Sequence, residues 1–446
     1  MNIEQIYDKA LAHGSYAIES KGEVALVDPG RDPQPYLDFA KKHNGKIVAV
    51  FETHPHADFA SSHIEFQQKF GATIYIHPKV GVSYDFTPME DGDEVKIGGV
   101  TIRALFTPGH SPDHNSYLLI DEEGQQKAVF TGDSLFIGDV GRPDLREGAG
   151  NLKVGRKELA EMMYDTVNTI FADMPDEVLV YPAHGAGSLC GKNMSDALYS
   201  TIGEQKKENW AFQLKEKQAF VNSFLDGQPF IPKYFPYDVE LNRQGAEPME
   251  ESVRKVKRLA NADSLEEGIL IVDARSQEAF KAGHLKGAIN IQDKEGDKFE
   301  TWLGSLVGPK ESFYLVAADE KALEAAITRA AKIGYEKLIK GALVHPVNAP
   351  EESSKLDVED FKAHPDRYTI VDIRNKSEVA GGKYFETALN IPLPELRDRI
   401  GEIATDKPVV VHCAGGYRSA TGSSMLEGKL NGVKVYDLSE AVNKFK

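Results

Sequence analysis

Four short apolar runs, Ile47 to Phe51, Val100 to Phe106, Ala128 to Phe130 and Val409 to Val411, each stop at a polar segment. They are too short and too rich in β-branched or aromatic residues for helices, so each predicts a strand. Behind the first three come THPHAD at Thr53 to Asp58, TPGH at Thr107 to His110 and TGD at Thr131 to Asp133, and VLVYPAHGAG repeats the device at His184. Side chains delivered from strand ends are rigidly held and water-accessible, which suits a catalytic metal. Strand and helix patterns alternate along the rest of the chain, and this predicts an α/β class throughout.

The rim so formed collects His54, His56, Asp58, His110, Asp133 and His184. Imidazole and carboxylate without thiolate suits zinc or non-haem iron. The motifs resemble the metallo-β-lactamase superfamily, whose binuclear zinc hydrolases carry H-x-H-x-D-H; here Phe59 stands in place of the final His. One ligand of the second metal position is therefore missing. His54, His110 and Asp133 remain, two imidazoles and a carboxylate, the composition of a facial triad that holds Fe(II) and leaves positions for substrate and O₂.

In that respect the chain resembles the persulfide dioxygenase branch of the superfamily. The resemblance implies an αββα sandwich with one Fe(2+) per chain on His54, His110 and Asp133, while His56, Asp58 and His184 line the site and hold ligands or water. His114, close behind His110, is expected to be a solvated loop residue.

Near the C-terminus, Val409 to Val411 leads to His412 and the loop CAGGYRS, followed by a helix-like stretch. A thiol, two glycines and an arginine describe an anion cradle, in which backbone N–H groups, a helix start and a guanidinium favour negative charge and a nucleophilic Cys413. Tyrosine-phosphatase-like loops need one more residue between Cys and Arg than the four that separate Cys413 from Arg418. The loop instead resembles rhodanese-type sulfurtransferases. That resemblance implies a persulfide sulfur carried on Cys413, with Gly415, Gly416 and Arg418 holding the anionic substrate.

The same region repeats at about 100 residues. IVDAR at Ile271 to Arg275 matches IVDIR at Ile370 to Arg374, and AINI at Ala288 to Ile291 matches ALNI at Ala388 to Ile391. Two rhodanese-like modules in tandem follow. The first has AGHLKGA at Ala282 to Ala288, typical of that family, yet its loop near Val316 to Lys321 reads VAADEK, without Cys or Arg. It is expected to be chemically silent.

A chain of 446 residues accommodates about three domains. The expected division is a metallo-β-lactamase domain over 1–235, a Pro-rich polar linker over 236–250, a rhodanese-like module over 251–347 and an active rhodanese module over 355–446. A net charge of −17 argues against a nucleic-acid partner. No apolar run approaches the ~20 residues of a membrane span, and the N-terminus has no basic start with an apolar core, so a cytoplasmic location is expected. Cys190 and Cys413 are the two cysteines, and a reducing compartment suits them better than a disulfide.

Cys190 lies in HGAGSLCGK directly after His184, where flanking glycines permit close approach and Lys192 could depress its pKa. The resemblance places it near the iron as a candidate sulfur relay; a loop thiol of no chemical consequence is the plainer alternative. Arg142, in GDSLFIGDVGRPDL, is the candidate cation for the carboxylate of a thiol cosubstrate. Its plainer reading is a salt bridge to Asp139 or Asp144.

The expected activity is oxidation of a low-molecular-weight persulfide by O₂ to sulfite, coupled to rhodanese transfer that forms or uses thiosulfate. The carrier thiol, the direction of transfer and homo-oligomerisation stay open. A binuclear zinc hydrolase of the glyoxalase II type and a non-enzymatic sulfur sensor or carrier are the alternatives.

Overall fold

The structure, a computed structural model, describes residues 1–145, 153–294, 296–346, 351–430 and 432–446. The chain divides into two compact units, Met1–Ser252 with Ala331–Gly334, and Val253–Ala330 with Tyr335–Lys446. Among the described residues no helix is long and apolar enough to cross a membrane.

The first unit holds two six-stranded sheets. One runs in chain order: β1 (Asn2–Asp8), β2 (His13–Ser20), β3 (Glu23–Val27), β4 (Lys46–Phe51), β5 (Thr73–Ile76) and β6 (Thr87–Pro88). The other contains β7 (Glu94–Ile97), β8 (Val100–Phe106), β9 (Asn115–Ile120), β10 (Gln126–Gly132), β11 (Leu179–Pro182) and β12 (Ser200–Thr201), likewise neighbour to neighbour. The reason for the layering is legible in β3. Ala25 and Val27 face the space between the sheets with Phe51, Ile102, Tyr117 and Phe130. Val24 and Leu26 point the opposite way, against Tyr36 and Phe39 of the helix Gln34–Lys42 and Phe66 of the helix His63–Phe70.

A strand buried on both faces must be apolar at every position, and EVALV is nearly so. Each fully buried Val or Phe there contributes roughly 1.5–3 kcal/mol. Helices Arg156–Asp165, Ile202–Glu208 and Lys217–Leu225 cover the second sheet through Ala160, Met163, Ile202, Phe220 and Phe224. The result is the αββα sandwich.

The segment expected to be a linker, 236–250, is mostly helix. Phe235–Gln244 and Met249–Arg254 are helical, with Asp238, Val239 and Asn242 buried. Pro236 sits in the first turn, where its missing N–H costs nothing. Asn242 accounts for the polar character: its Nδ2 donates to the carbonyls of His56 and Phe59, and its Oδ1 accepts from the Ser61 N–H. It thus satisfies backbone of the ligand loop itself.

The second unit contains two parallel four-stranded sheets built alike. In the first, β13 (Leu270–Asp273) lies between β14 (Ala288–Asn290) and β15 (Phe313–Ala317), with β16 (Ile339–Val344) beyond β15. The second repeats the order with β17 (Thr369–Asp372), β18 (Leu389–Asn390), β19 (Val409–His412) and β20 (Val435–Asp437). Residue 347, the expected end of the first module, lies outside the described residues.

Candidate metal centre and sulfur-transfer loop

The ends of β4, β8 and β10 converge, and the loops behind them are buried. Asp28, at the end of β3, fixes the first of these loops by accepting from the Thr53 N–H at 2.7 Å and the Thr53 hydroxyl at 2.8 Å. Thr53 in turn accepts from Asn115 N through its carbonyl, tying the two sheets together at the rim. Gly132 is required at the end of β10, just before Asp133: its φ is +52°, and a Cβ there would lie 2.5 Å from Thr53 Oγ1 and 2.6 Å from His114 Nε2.

His54, His110 and Asp133 each bring one ligand atom into a cluster no wider than 4.8 Å. Asp133 Oδ2 lies 3.6 Å from His110 Nε2 and 3.9 Å from His54 Nε2. His110 Nδ1 donates to the Arg142 carbonyl at 2.8 Å, and His54 Nδ1 lies 3.0 Å from Thr53 Oγ1. Each outer nitrogen is thereby occupied and each Nε2 is aimed inward as an acceptor. Neither Asp133 oxygen has a hydrogen-bond partner among the described residues, although the side chain is buried. A buried carboxylate left so is costly unless a cation completes it. The residues fit a divalent metal.

The other carboxylate oxygen, Asp133 Oδ1, faces His184 Nε2 at 3.5 Å, and His184 faces Asp58 Oδ1 at 3.4 Å. Burial alone would lower the His184 pKa, but Asp58 and Asp133 hold it well above its ordinary value. His56 is raised in the same way, burial being outweighed by Asp28, 3.2 Å from its Nε2, and by Asp133. The ring of Phe59 lies against His56 with centroids 4.4 Å apart. It also packs, tilted, against the ring of His13, with centroids 3.8 Å apart.

Three expectations change here. His114 is fully buried: its Nε2 accepts from the Asp133 N–H at 3.1 Å while Nδ1 meets Thr107 Oγ1 at 2.9 Å, so it props the metal-ligand loop. Arg142 is buried and spends its five N–H donors on Asp144 and on the carbonyls of Leu189, Pro229 and Phe230, which leaves none for a cosubstrate. Burial pushes the Cys190 thiol up, with Asp58 and Asp133 adding to the effect. Lys192 does not oppose this, since its Nζ donates to the carbonyls of Ser223 and Asp226.

Two neighbours escaped sequence reasoning. His13 opens β2 and bridges to His184, with nothing in its local sequence to mark it. Asp28 ends the apolar run of β3 and carried the same strand-end signal as the others.

In the second rhodanese-like module, Cys413 follows β19 directly and is buried. The Gly416 N–H points at its Sγ at 3.1 Å, with Gly416 at φ +105° opening the helix Tyr417–Glu427. A Cβ on Gly416 would come within 3.0 Å of the backbone at Ser439 and Glu440, whereas Gly415 borders open space. Arg418 forms a two-pronged pair with Glu378 at 2.6 and 2.7 Å. Register places Ala317 of the first module where Cys413 sits in the second, because Asp273 pairs with Val316 as Asp372 pairs with His412.

The Metallo-beta-lactamase superfamily model matches residues 9–184, and the Rhodanese-like domain model matches 252–342 and 357–446. The cytoplasmic hydroxyacylglutathione hydrolase of Arabidopsis thaliana is 32% identical over 235 residues, covering 51% of this chain and 81% of that protein. The chain belongs to the metallo-β-lactamase superfamily. A solved metallo-beta-lactamase from Staphylococcus aureus subsp. aureus COL is 30% identical with a TM-score of 0.68, covering 78% of this chain and 99% of its own. ETHE1 from Myxococcus xanthus is 28% identical with a TM-score of 0.47, covering 55% of this chain and 98% of that one. Within the superfamily, this chain joins the sandwich to two rhodanese-like modules.

Proposed function

We propose that the protein oxidises a low-molecular-weight persulfide to sulfite at one iron held by His54, His110 and Asp133, and that Cys413 exchanges sulfur between persulfide, sulfite and thiosulfate. The observation that carries this reading is Phe59: where binuclear zinc hydrolases have a final imidazole, an apolar ring packs against His13 and His56. The triad keeps its two imidazoles and a carboxylate. Iron bound there would supply redox chemistry able to pair sulfur with O₂.

The chain's own residues do the rest. The carbonyl of Arg142 and the hydroxyl of Thr53 fix the rings of His110 and His54, and His114 fixes the backbone of Asp133. Oxidation releases the thiol and forms sulfite, with two oxygen atoms from O₂ and the third from water. At Cys413 the sulfur–sulfur bond of the cysteine persulfide then breaks as a new one forms to sulfite, leaving thiosulfate and the cysteine thiolate. The Gly416 N–H is placed to steady that charge.

The binuclear zinc hydrolase is the competing reading, favoured by the 32% identity to a hydroxyacylglutathione hydrolase. Metal analysis combined with oxygen uptake on a persulfide separates the two. The expected result is about one iron per chain, with metal and O₂ consumption both lost in His110→Ala and in Asp133→Ala. Two zincs with thioester hydrolysis, or wild-type oxygen uptake in either variant, would sink the dioxygenase.

A further inference from the structure

The helix Tyr417–Glu427 behind the cysteine loop lies against the other module of its unit. β14 is the outer strand of the first module's sheet, and an outer strand leaves a row of N–H and C=O groups to be satisfied. The Asn290 N–H there donates to Ser424 Oγ at 2.9 Å, and the Gln292 carbonyl accepts from the Tyr417 hydroxyl at 3.2 Å. Further down, a Cβ on Gly428 would lie 3.4 Å from Gly287 Cα. We propose that the first rhodanese-like module serves as a mount for this helix, with Tyr417 the positioning residue that locks its first turn, and so the Cys413 loop, to the Gln292 carbonyl. The role rests on the reading of Cys413 as the sulfur carrier.

Spacing along the helix makes the contact a single face. Ser424 and Gly428 lie two and three turns beyond Tyr417, each within about 20° of it around the helix axis. They meet residues 290 and 287 as Tyr417 meets 292, so the helix runs antiparallel to β14 from its first residue to its C-cap. The edge it leans on is itself fixed. Gln292 Oε1 accepts from the Gln277 N–H at 2.9 Å, and Asn290 Nδ2 donates to the carbonyls of Asp273 and Arg275. A module whose own loop reads VAADEK, with neither Cys nor Arg, thus offers the helix a rigid rail.

Tyr417 stands where a small displacement matters most. It lies between Gly416, whose N–H points at Cys413 Sγ at 3.1 Å, and Arg418, held by Glu378. Hydrogen bonds weaken steeply as a donor turns away from its acceptor, so rotation of the first turn takes the N–H off the sulfur and leaves a thiolate less stabilised. Burial pushes the Tyr417 hydroxyl up, with Asp297 of the first module adding to the effect, so it stays protonated and donates across the neutral range. Ser424 holds the same face two turns away from that donor.

The two hydrogen bonds supply the test with its control. In the full-length protein, alkylation of Cys413 by iodoacetamide, followed by mass spectrometry of the peptide that contains it, reads the thiolate directly. In Tyr417→Phe the rate near neutral pH should fall about two- to tenfold, the worth of one hydrogen bond, and its pH profile should move to higher pH. Sulfur transfer from thiosulfate to cyanide should slow in step. Ser424→Ala, which removes a hydrogen bond from the same face, should leave the profile where it was. An unmoved profile in Tyr417→Phe overturns the role, and so does an equal shift in Ser424→Ala, which would reduce the face to ordinary packing. A shifted profile in a protein that takes no sulfur from thiosulfate would keep the mount and remove the carrier reading instead.

Discussion

The two rhodanese-like modules share one sheet order and differ at the loop where the second carries its cysteine. In the first, Arg275 folds back on Asp273 and donates to the Gly283 carbonyl; in the second, Arg374 does the same with Asp372 and Gly382. Asn290 donates to the carbonyls of Asp273 and Arg275, and Asn390 to those of Asp372 and Arg374. At the loop the likeness stops. The second module has Cys413, an N–H aimed at sulfur and Arg418; the first has Ala317, and Asp319 caps its helix by accepting from the Ala322 N–H. A carboxylate there repels the anions that the other loop would attract. The polar framework is the same in both modules while the loop residues differ, so framework and loop are set by separate positions.

The largest effect should come from Cys413→Ser, because a hydroxyl does not ionise at neutral pH and cannot hold a transferable sulfur. Iron content and oxygen uptake should survive, while the product from persulfide shifts from thiosulfate to sulfite. Thiosulfate made at the wild-type rate, after correction for the spontaneous reaction, would make Cys190 the better carrier. Mass spectrometry after treatment with a sulfur donor should correspondingly find no added sulfur in the first module.

Next in size are the paired scaffold variants. Asp372→Ala strands the buried Arg374 and Asp273→Ala the partly buried Arg275, with losses of about 3–5 kcal/mol for the first and somewhat less for the second, read by urea unfolding. A small effect in the first module alone would show that its framework is inherited but no longer needed.

The smallest concerns the far end of the active helix. Glu427 is its last residue, and burial raises its carboxyl from 4.5 to about 7, with Ser353 Oγ donating to it at 3.0 Å. The folded state therefore holds that proton more tightly than the unfolded chain, so this contribution is complete below pH 4.5 and is lost as pH rises through about 7. Glu427→Gln imitates the protonated form. It should match wild type in acid and exceed it by about 1–3 kcal/mol above neutrality, and a constant difference across the range would refute the titration.

Strand-end ligands and the repeat were legible because both are local: an apolar run and the motif behind it lie within a dozen residues. Whether Arg142 is free, or His114 solvated, depends on partners as distant as Pro229 and on a neighbouring strand end, which no window contains. The supposed linker misled for the same reason. Its proline and polar residues read as loop chemistry, yet Asn242 is polar because it serves carbonyls more than 180 residues away.

Arg142 carries a consequence for how this protein can change over generations. Its carbonyl aligns His110, its backbone N–H holds the Cys190 carbonyl, and its side chain holds Leu189. The side chain anchors the loop before Cys190, and the backbone of the same residue holds both that loop and a metal-ligand ring. Any change that moves the backbone at position 142 therefore shifts the His110 ring and the loop of Cys190 together.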